Sequence, residues 1–299
     1  MSSEAVALVN QTGFGLTSGL ESLDEREWIY WKSHIRAGNL YINRVTTGAI
    51  VLRQPFGGMG KSVFGLAMKA GGPNYVAQLM TLTDVAPAKS QQKPTKPTLA
   101  ALCEGLLAAK HPEADSVVAA ALSCEAAQRD EFGKEHDHFH LVGQDNARRY
   151  LPFANVRVRV HANDRASEVF SRIIAAHVAG CEVTVSVAPD LKLPAVALLE
   201  QLTESWAAAI EFVEETDEQL ATAIREGRTD RVRYAAPDRA PEAVLRAAHE
   251  ANICVACTPV SAEGRLELLW YLREQSISTD YHRYGNLGPR ANEQRAEVL

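Results

Sequence analysis

The sequence predicts an α/β chain in two parts: an incomplete N-terminal segment, then a Rossmann-like domain built on a parallel sheet. Beyond residue 98, short β-branched runs alternate with helical stretches of about 10 to 15 residues, the rhythm of βαβ units whose sheet is covered on both faces. Residues 84–98, DVAPAKSQQKPTKPT, hold prolines, lysines and glutamines with almost no apolar side chains. Such a stretch cannot offset the entropy of being ordered and reads as a linker. The segment ahead of it carries too few elements to close a core, so it reads as the tail of a larger domain that starts upstream of Met1. The expected division is 1–83, a linker 84–98, and a domain 99–299.

In the first segment, Ser22-x-x-Glu25 is a capping-box pattern ahead of a helix over 23–36, which Ala37-Gly38 would end. Residues 39–44, NLYINR, alternate as a strand, and 57–72 are loop-like with their many glycines. In the second, helices over 99–109 and 116–130 lead to a strand at 155–160. Asp164 then caps a helix with Val169, Phe170, Ile173 and Ile174 on one face, and Gly180 ends it. A strand at 181–187, a helix entered through Pro194, a strand at 210–213 and a helix opened by the Thr216-x-x-Gln219 box follow. The pattern closes with a strand at 231–236, a helix at 241–251, a strand at 253–259 and a helix at 265–275.

Composition bounds the function. With 299 residues, 46% hydrophobic and 23% charged, the chain can bury a substantial core. A net charge of -6 argues against nucleic-acid or membrane surfaces, which reward basic patches. No run approaches the roughly 18 apolar residues of a membrane span, and the N-terminus lacks the basic and apolar regions of a signal peptide. Five cysteines at irregular spacing suit a reducing, cytoplasmic setting.

Several constellations invite chemistry. Residues 53–62, RQPFGGMGKS, mimic the phosphate loop G-x-x-x-x-G-K-[ST] through Lys61 and Ser62, but the first glycine is replaced by Pro55, which has no N–H. No G-x-G-x-x-G fingerprint occurs after residue 98. Cys254-x-x-Cys257 sits in a run that reads as a buried strand rather than a helix N-terminus, and no second pair completes a metal site. His136, His138 and His140 would share one face of a strand at workable ligand spacing, although their polar flanks read as a solvated connector. The acidic run Glu214, Glu215, Asp217 and Glu218 fits a helix N-terminus favoured by the macrodipole. No metal site is expected.

Three stretches carry a resemblance: TGFGLTSGLES (12–22), AGNLYINRVTTGAIVLRQPFGG (37–58) and KAGGPNYV (69–76). Together they resemble the C-terminal end of the aldehyde dehydrogenase superfamily, in the glutamate-γ-semialdehyde (pyrroline-5-carboxylate) branch found within bifunctional proline utilization A proteins. The resemblance implies that Gly48 and Ala49 offer backbone N–H groups to the substrate's carboxylate, and that Phe56 packs beside its aliphatic chain. Close backbone approach suits an anion held by N–H groups, and an aromatic wall excludes water from the aldehyde.

The family's catalytic cysteine, its general-base glutamate and its NAD-binding domain all precede this segment in chain order. The resemblance therefore implies a chain inactive by itself, which depends on upstream dehydrogenase domains in cis or in trans, with NAD serving the complete enzyme and FAD an absent upstream domain. The second part resembles the C-terminal domain of longer proline utilization A proteins, ending near YHRYGNL (281–287). There the family's ribose-holding lysine and glutamate align with Ala188 and Leu191, and its Phe-Thr-Gly-Ser turn aligns with Tyr234, Ala235, Ala236 and Pro237. No cofactor is expected on this chain alone, and the domain is expected to be a scaffold or lid. The competing readings are a non-catalytic interaction module that uses the dehydrogenase remnant as a docking arm, and a cryptic NAD site in the second part.

Overall fold

The computed structural model of the chain describes residues 3–63, 65–81 and 92–295. In chain order its strands are β1 (Phe14–Gly15), β2 (Thr17–Leu20), β3 (Asn39–Ile42), β4 (Met59–Gly60), β5 (Gln144–Pro152), β6 (Asn155–Arg159), β7 (Glu182–Val187), β8 (Ile210–Glu214), β9 (Arg231–Arg233), β10 (Val255–Ala256) and β11 (Leu272–Asp280). Its α-helices are α1 (Ser3–Gln11), α2 (Glu25–His34), α3 (Pro97–Ala108), α4 (Ala114–Ala127), α5 (Ala166–Ala179), α6 (Pro194–Leu202), α7 (Asp217–Arg225), α8 (Glu242–Glu250) and α9 (Gly264–Glu267). They form two compact units, each discontinuous or interrupted in sequence: Met1–Met80 with Lys134–Leu151 and Arg273–Leu299, and Thr81–Gly133 with Pro152–Leu272.

The first unit is organised by a sheet in the order β2-β3-β11-β5. β3 runs parallel to β2 and to β11, with Leu40 opposite Ile277 and Ile42 opposite Thr279. Every residue of β3 is buried, as a central strand requires. Val6, Trp31, Ile35, Ala37, Leu40, Ile42 and Ile277 make its core. Beside the sheet, β1 and β4 form a short antiparallel ladder. Gly38 lets this region close: a Cβ there would lie 1.9 Å from the Gly57 carbonyl oxygen, so any larger residue would push the 57–58 turn away.

The second unit is doubly wound. Its sheet runs β10-β9-β6-β7-β8, every pair parallel. Helices α5, α6, α7 and α8 form the successive crossovers. The strand order reverses between β6 and β9, so the crevice at their C-terminal ends is where such folds place ligands. α5 is buried almost throughout, including Val169, Phe170, Ile173 and Ile174, and stops at Gly180 with φ of 91°, a left-handed cap. The Thr216 and Gln219 capping box opens α7.

The structure redraws several expected boundaries. Residues 84–91 of the expected linker lie outside the described residues, and α3 already begins at Pro97. Residues 134–151 and 273–299, expected within the second domain, cluster with the first unit because β11 and β5 extend the sheet past β3. The helix expected over 265–275 is a single turn, Gly264–Glu267, followed by a 3-10 turn and then by β11. Pairing with β3 decides that segment against its helical pattern. Asp24, not Ser22, caps α2: its carboxylate accepts from Arg26 N at 2.9 Å and pairs with that guanidinium, a charge-assisted bond that a hydroxyl cannot match. Asp164 likewise does not cap α5. It is drawn into a fully buried pair with Arg172, and Arg165 occupies the cap position.

Candidate functional site

The loop between β3 and β4 carries all three residues that the sequence marks for substrate binding. Gly48 and Ala49 lie on its exposed outer part, and Gly48 adopts φ of 109°, a conformation that favours glycine. Among the described residues, the N–H groups of Gly48 and Ala49 have no acceptor. Two consecutive amides are thus presented to solvent on a backbone that only a glycine adopts readily. The loop then tightens: Gln54 N donates to Ile50 O at 2.7 Å, and Ile50 N returns to Gln54 O at 3.2 Å. Phe56 follows, half-buried, in a two-way backbone bridge with Ala70 at 2.9 Å each way.

The loop is held from one side by β5 and β11. Arg53 Nε donates to Gln144 Oε1 at 3.2 Å, and Ser276 Oγ donates to the Pro55 carbonyl at 2.7 Å. The buried Gln54 amide lies 2.9 Å from Ser278 Oγ, which is 2.8 Å from Asn146 Oδ1. Turned so that its nitrogen meets an acceptor, the Gln54 amide donates to the Gly48 carbonyl and accepts from Arg44 Nη1 at 2.6 Å. Sequence reading did not find these supports, because no local pattern links residue 54 to residues 146 and 278.

Behind the turn, Lys69 is 1% exposed, and its Nζ donates to Asn39 Oδ1 at 2.8 Å and to the Gly57 carbonyl at 2.7 Å. Burial pulls its pKa down to about 7, against the opposing pull of Glu274. Glu274 accepts from Lys69 N at 3.1 Å and from Asn74 Nδ2, and burial raises its own carboxyl pKa. The RQPFGG stretch therefore rests on a buried lysine. Lys61 of the same stretch lies over the Phe14 ring.

The other constellations are placed as follows. His136 bridges Arg148 through its backbone, and its ring stacks on His138 with centroids 6.2 Å apart. Among the described residues, no group of three or more potential ligands could hold a metal ion. Cys254 and Cys257 flank the two-residue edge strand β10, shorter than the strand expected at 253–259. Cys103, Cys124 and Cys181 are buried. Burial pushes the Cys103 thiol up to about 12 and raises those of Cys124 and Cys257, the opposite of what activates a nucleophile. The C-terminal motif lines a 760 Å³ cleft with Trp28 and Asn43, its Tyr281 ring covered by Arg290 at 3.7 Å.

At the switch point of the second unit, a 350 Å³ crevice is lined by Arg159, His161, Ala188, Leu191, Tyr234 and Arg239, among others. Its charged groups are largely paired within the protein. The first turn of α5, where a pyrophosphate would bind, is already engaged: Ser167 N donates to Glu113 Oε2 at 3.1 Å, and Glu168 Oε2 accepts from Arg165 N at 2.8 Å. Asp164 and Glu168 add negative charge there, neutralised by Arg239. Arg159 is likewise taken, by Ser186, the Glu215 carbonyl and Asp217.

Residues 1–85 match the model of the aldehyde dehydrogenase family. The chain is 50% identical over 82 residues to the bifunctional protein PutA of Rhizobium meliloti, covering 27% of this chain and 6% of that protein. It is 45% identical over 73 residues to the 1-pyrroline-5-carboxylate dehydrogenase of Bacillus cytotoxicus, covering 24% of this chain and 14% of that one. The structure of proline utilization A from Corynebacterium freiburgense superposes on 94% of this chain with a TM-score of 0.67 and 33% identity. This chain covers only 24% of that one. Residues 1–85 thus match the aldehyde dehydrogenase family, within an α/β structure that is similar over most of its length to proline utilization A from Corynebacterium freiburgense.

Proposed function

We propose that this chain supplies the carboxylate anchor of an aldehyde dehydrogenase of proline catabolism, one that oxidises L-glutamate γ-semialdehyde to glutamate with NAD. The observation that carries the reading is the pair of acceptor-free amides at Gly48 and Ala49, held out on a loop whose conformation glycine permits. A carboxylate is the natural complement of adjacent backbone donors, and Phe56 at the base of the loop would pack along the substrate's methylenes. The loop contains no cysteine. The five cysteines lie in the second unit, and those with shifted thiols are shifted upward. On this reading the chemistry belongs to dehydrogenase domains joined in cis or docked in trans, and the second unit is a scaffold or lid.

The surface of residues 3–80 supports such docking. Leu8, Phe14, Ile29, Val45, Val51 and Leu79 are each more than 60% exposed, a density of apolar side chains that favours a partner. Among the described residues no helix is long and apolar enough to cross a membrane, and the free cysteines suit the cytoplasm.

The test is a titration of the ¹⁵N-labelled chain with L-glutamate, the product, in which the Gly48 and Ala49 amides should shift with a common saturation curve. 4-Aminobutyrate, which lacks the α-carboxylate, should leave them in place. Equal responses to both ligands, or to neither, would reject the anchor.

A further inference from the structure

The anchor loop is fixed by residues from outside the segment that matches the aldehyde dehydrogenase family. Three consecutive residues at its return, Arg53, Gln54 and Pro55, are each held by a side chain from β5 or β11: Gln144, Ser278 and Ser276. Of these, Gln54 alone reaches back to the anchor. It is 3% exposed, and its amide joins the Gly48 carbonyl to Arg44 and Ser278. Ser278 spends its single hydroxyl proton on the Gln54 oxygen, and beside it on β5 the backbone N–H of Asn146 donates to Asp137 Oδ2 at 3.0 Å. A peptide unit whose carbonyl is fixed has its following N–H fixed too, because the unit is planar. The bond to the Gly48 carbonyl therefore sets where the Ala49 N–H points.

We propose that Gln54 and Ser278 are positioning residues of the anchor, so that β11, with β5 beside it, holds the Gly48–Ala49 peptide in the orientation that receives a carboxylate. The proposal rests on the reading of Gly48 and Ala49 as carboxylate donors. It assigns the strands at 144–152 and 272–280 a part in substrate binding that a scaffold or lid role does not include. The chemistry is specific: the position needs a group that donates to one carbonyl and accepts from one guanidinium at the same time, which an amide does and a carboxylate does not.

The test uses the full ¹⁵N-labelled chain with two variants, Gln54→Glu and Ser278→Ala, and L-glutamate as the probe. Gln54→Glu keeps the shape and the bond from Arg44 but sets an oxygen against the Gly48 carbonyl. Ser278→Ala removes the tie to β11, and Ser278→Thr restores the hydroxyl. In both disruptive variants the heteronuclear NOE of residues 45–49 should fall while the amides of β3 stay in place. Affinity for L-glutamate should weaken roughly fivefold, the scale of one hydrogen bond, and Ser278→Thr should recover most of it.

Unchanged order and unchanged affinity in both variants would overturn the proposal while leaving the anchor reading intact. Loosened loops together with a wild-type chain whose Gly48 and Ala49 ignore L-glutamate would reject the anchor and keep the hydrogen-bond device. Should either variant fail to fold, the wild-type chain decides by itself. NOEs from the Gln54 side-chain amide protons to Gly48 and Ser278 are required, and their absence rejects the device.

Discussion

Replacing Lys69 by methionine separates the two things this lysine does in the structure. Its Nζ holds Asn39 Oδ1 and the Gly57 carbonyl from a site that is 1% exposed. Gly57 O keeps a second donor, Asn39 Nδ2 at 3.1 Å, so the substitution leaves one buried acceptor, Asn39 Oδ1, without a partner. That should cost about 1–3 kcal/mol near pH 7. The same burial holds the ammonium pKa near 7, against 10.5 for an unperturbed lysine.

Between those values the unfolded chain binds a proton that the folded chain does not, so lysine's contribution rises with pH by up to about 1.4 kcal/mol per unit. The contribution is smallest below pH 7, where both states are protonated. Methionine has no such slope, and the difference between the two chains cancels the other groups that titrate in this range. Urea denaturation should show the variant's deficit growing by roughly 2 kcal/mol from pH 7 to pH 9. A ¹³Cε titration should place the Lys69 midpoint within about one unit of 7. A midpoint near 10.5, or a deficit that shrinks as pH rises, would refute the reasoning.

Three further outcomes are expected. Glu267→Gln removes the charge that faces Arg233 in a pair where both side chains are 0% exposed, so it should cost about 3 kcal/mol and lower the melting temperature by roughly 6–12 °C in calorimetry. The double substitution Arg233→Met with Glu267→Met should cost less than the sum of the single changes. A fragment ending at residue 85 loses β11 from beside β3, and with it Ile277 from the core and the partners of Asn74 at Tyr150 and Glu274. Its amide spectrum should collapse to the narrow dispersion of an unfolded chain, whereas a well-dispersed spectrum would show that the segment closes its own core.

Much of the second unit was legible because its determinants are local. The turn at Gly180 needs a left-handed residue, the Thr216 and Gln219 box is complete within four positions, and the buried face of α5 repeats at helical spacing. The parallel alternation of strands and helices followed from the same periodicity. β5 was not legible, and β11 was misread as helix, because both are settled by a sheet whose central strand lies more than 100 residues earlier. QDNARRYLP carries three charged and several polar residues, and nothing nearby declares that Asn146 and Arg148 will be buried. Asp164 shows the same failure on a smaller scale. It has the spacing of a cap, but a buried guanidinium eight residues on competes for it more strongly than a backbone N–H does.

The anchor loop sharpens this distinction between what a motif contains and what makes it work. TTGAIVLRQPFGG supplies the glycine whose backbone turns and the amides that face solvent, and those features can be read from the residues themselves. An exposed loop of that length pays a large entropic cost for holding one geometry, and its own contacts are few: a tight bridge between Ile50 and Gln54, a bond from Arg53 N to Val51 O, and the Gln54 amide on the Gly48 carbonyl. Further order comes from backbone bonds to Ala70 and Gly71 and from side chains at positions 144, 276 and 278, which meet residues 53–55 and carry no signature of their own. On the proposed reading, substitutions at those positions would act on a substrate's carboxylate without touching it, by changing how long the Gly48–Ala49 peptide spends in the orientation that receives it. A partial dehydrogenase segment joined to strands from the far end of the chain is then a physically coherent object. On that reading the family motif provides the donors, and the later strands provide the rigidity that would let two donors act as one site.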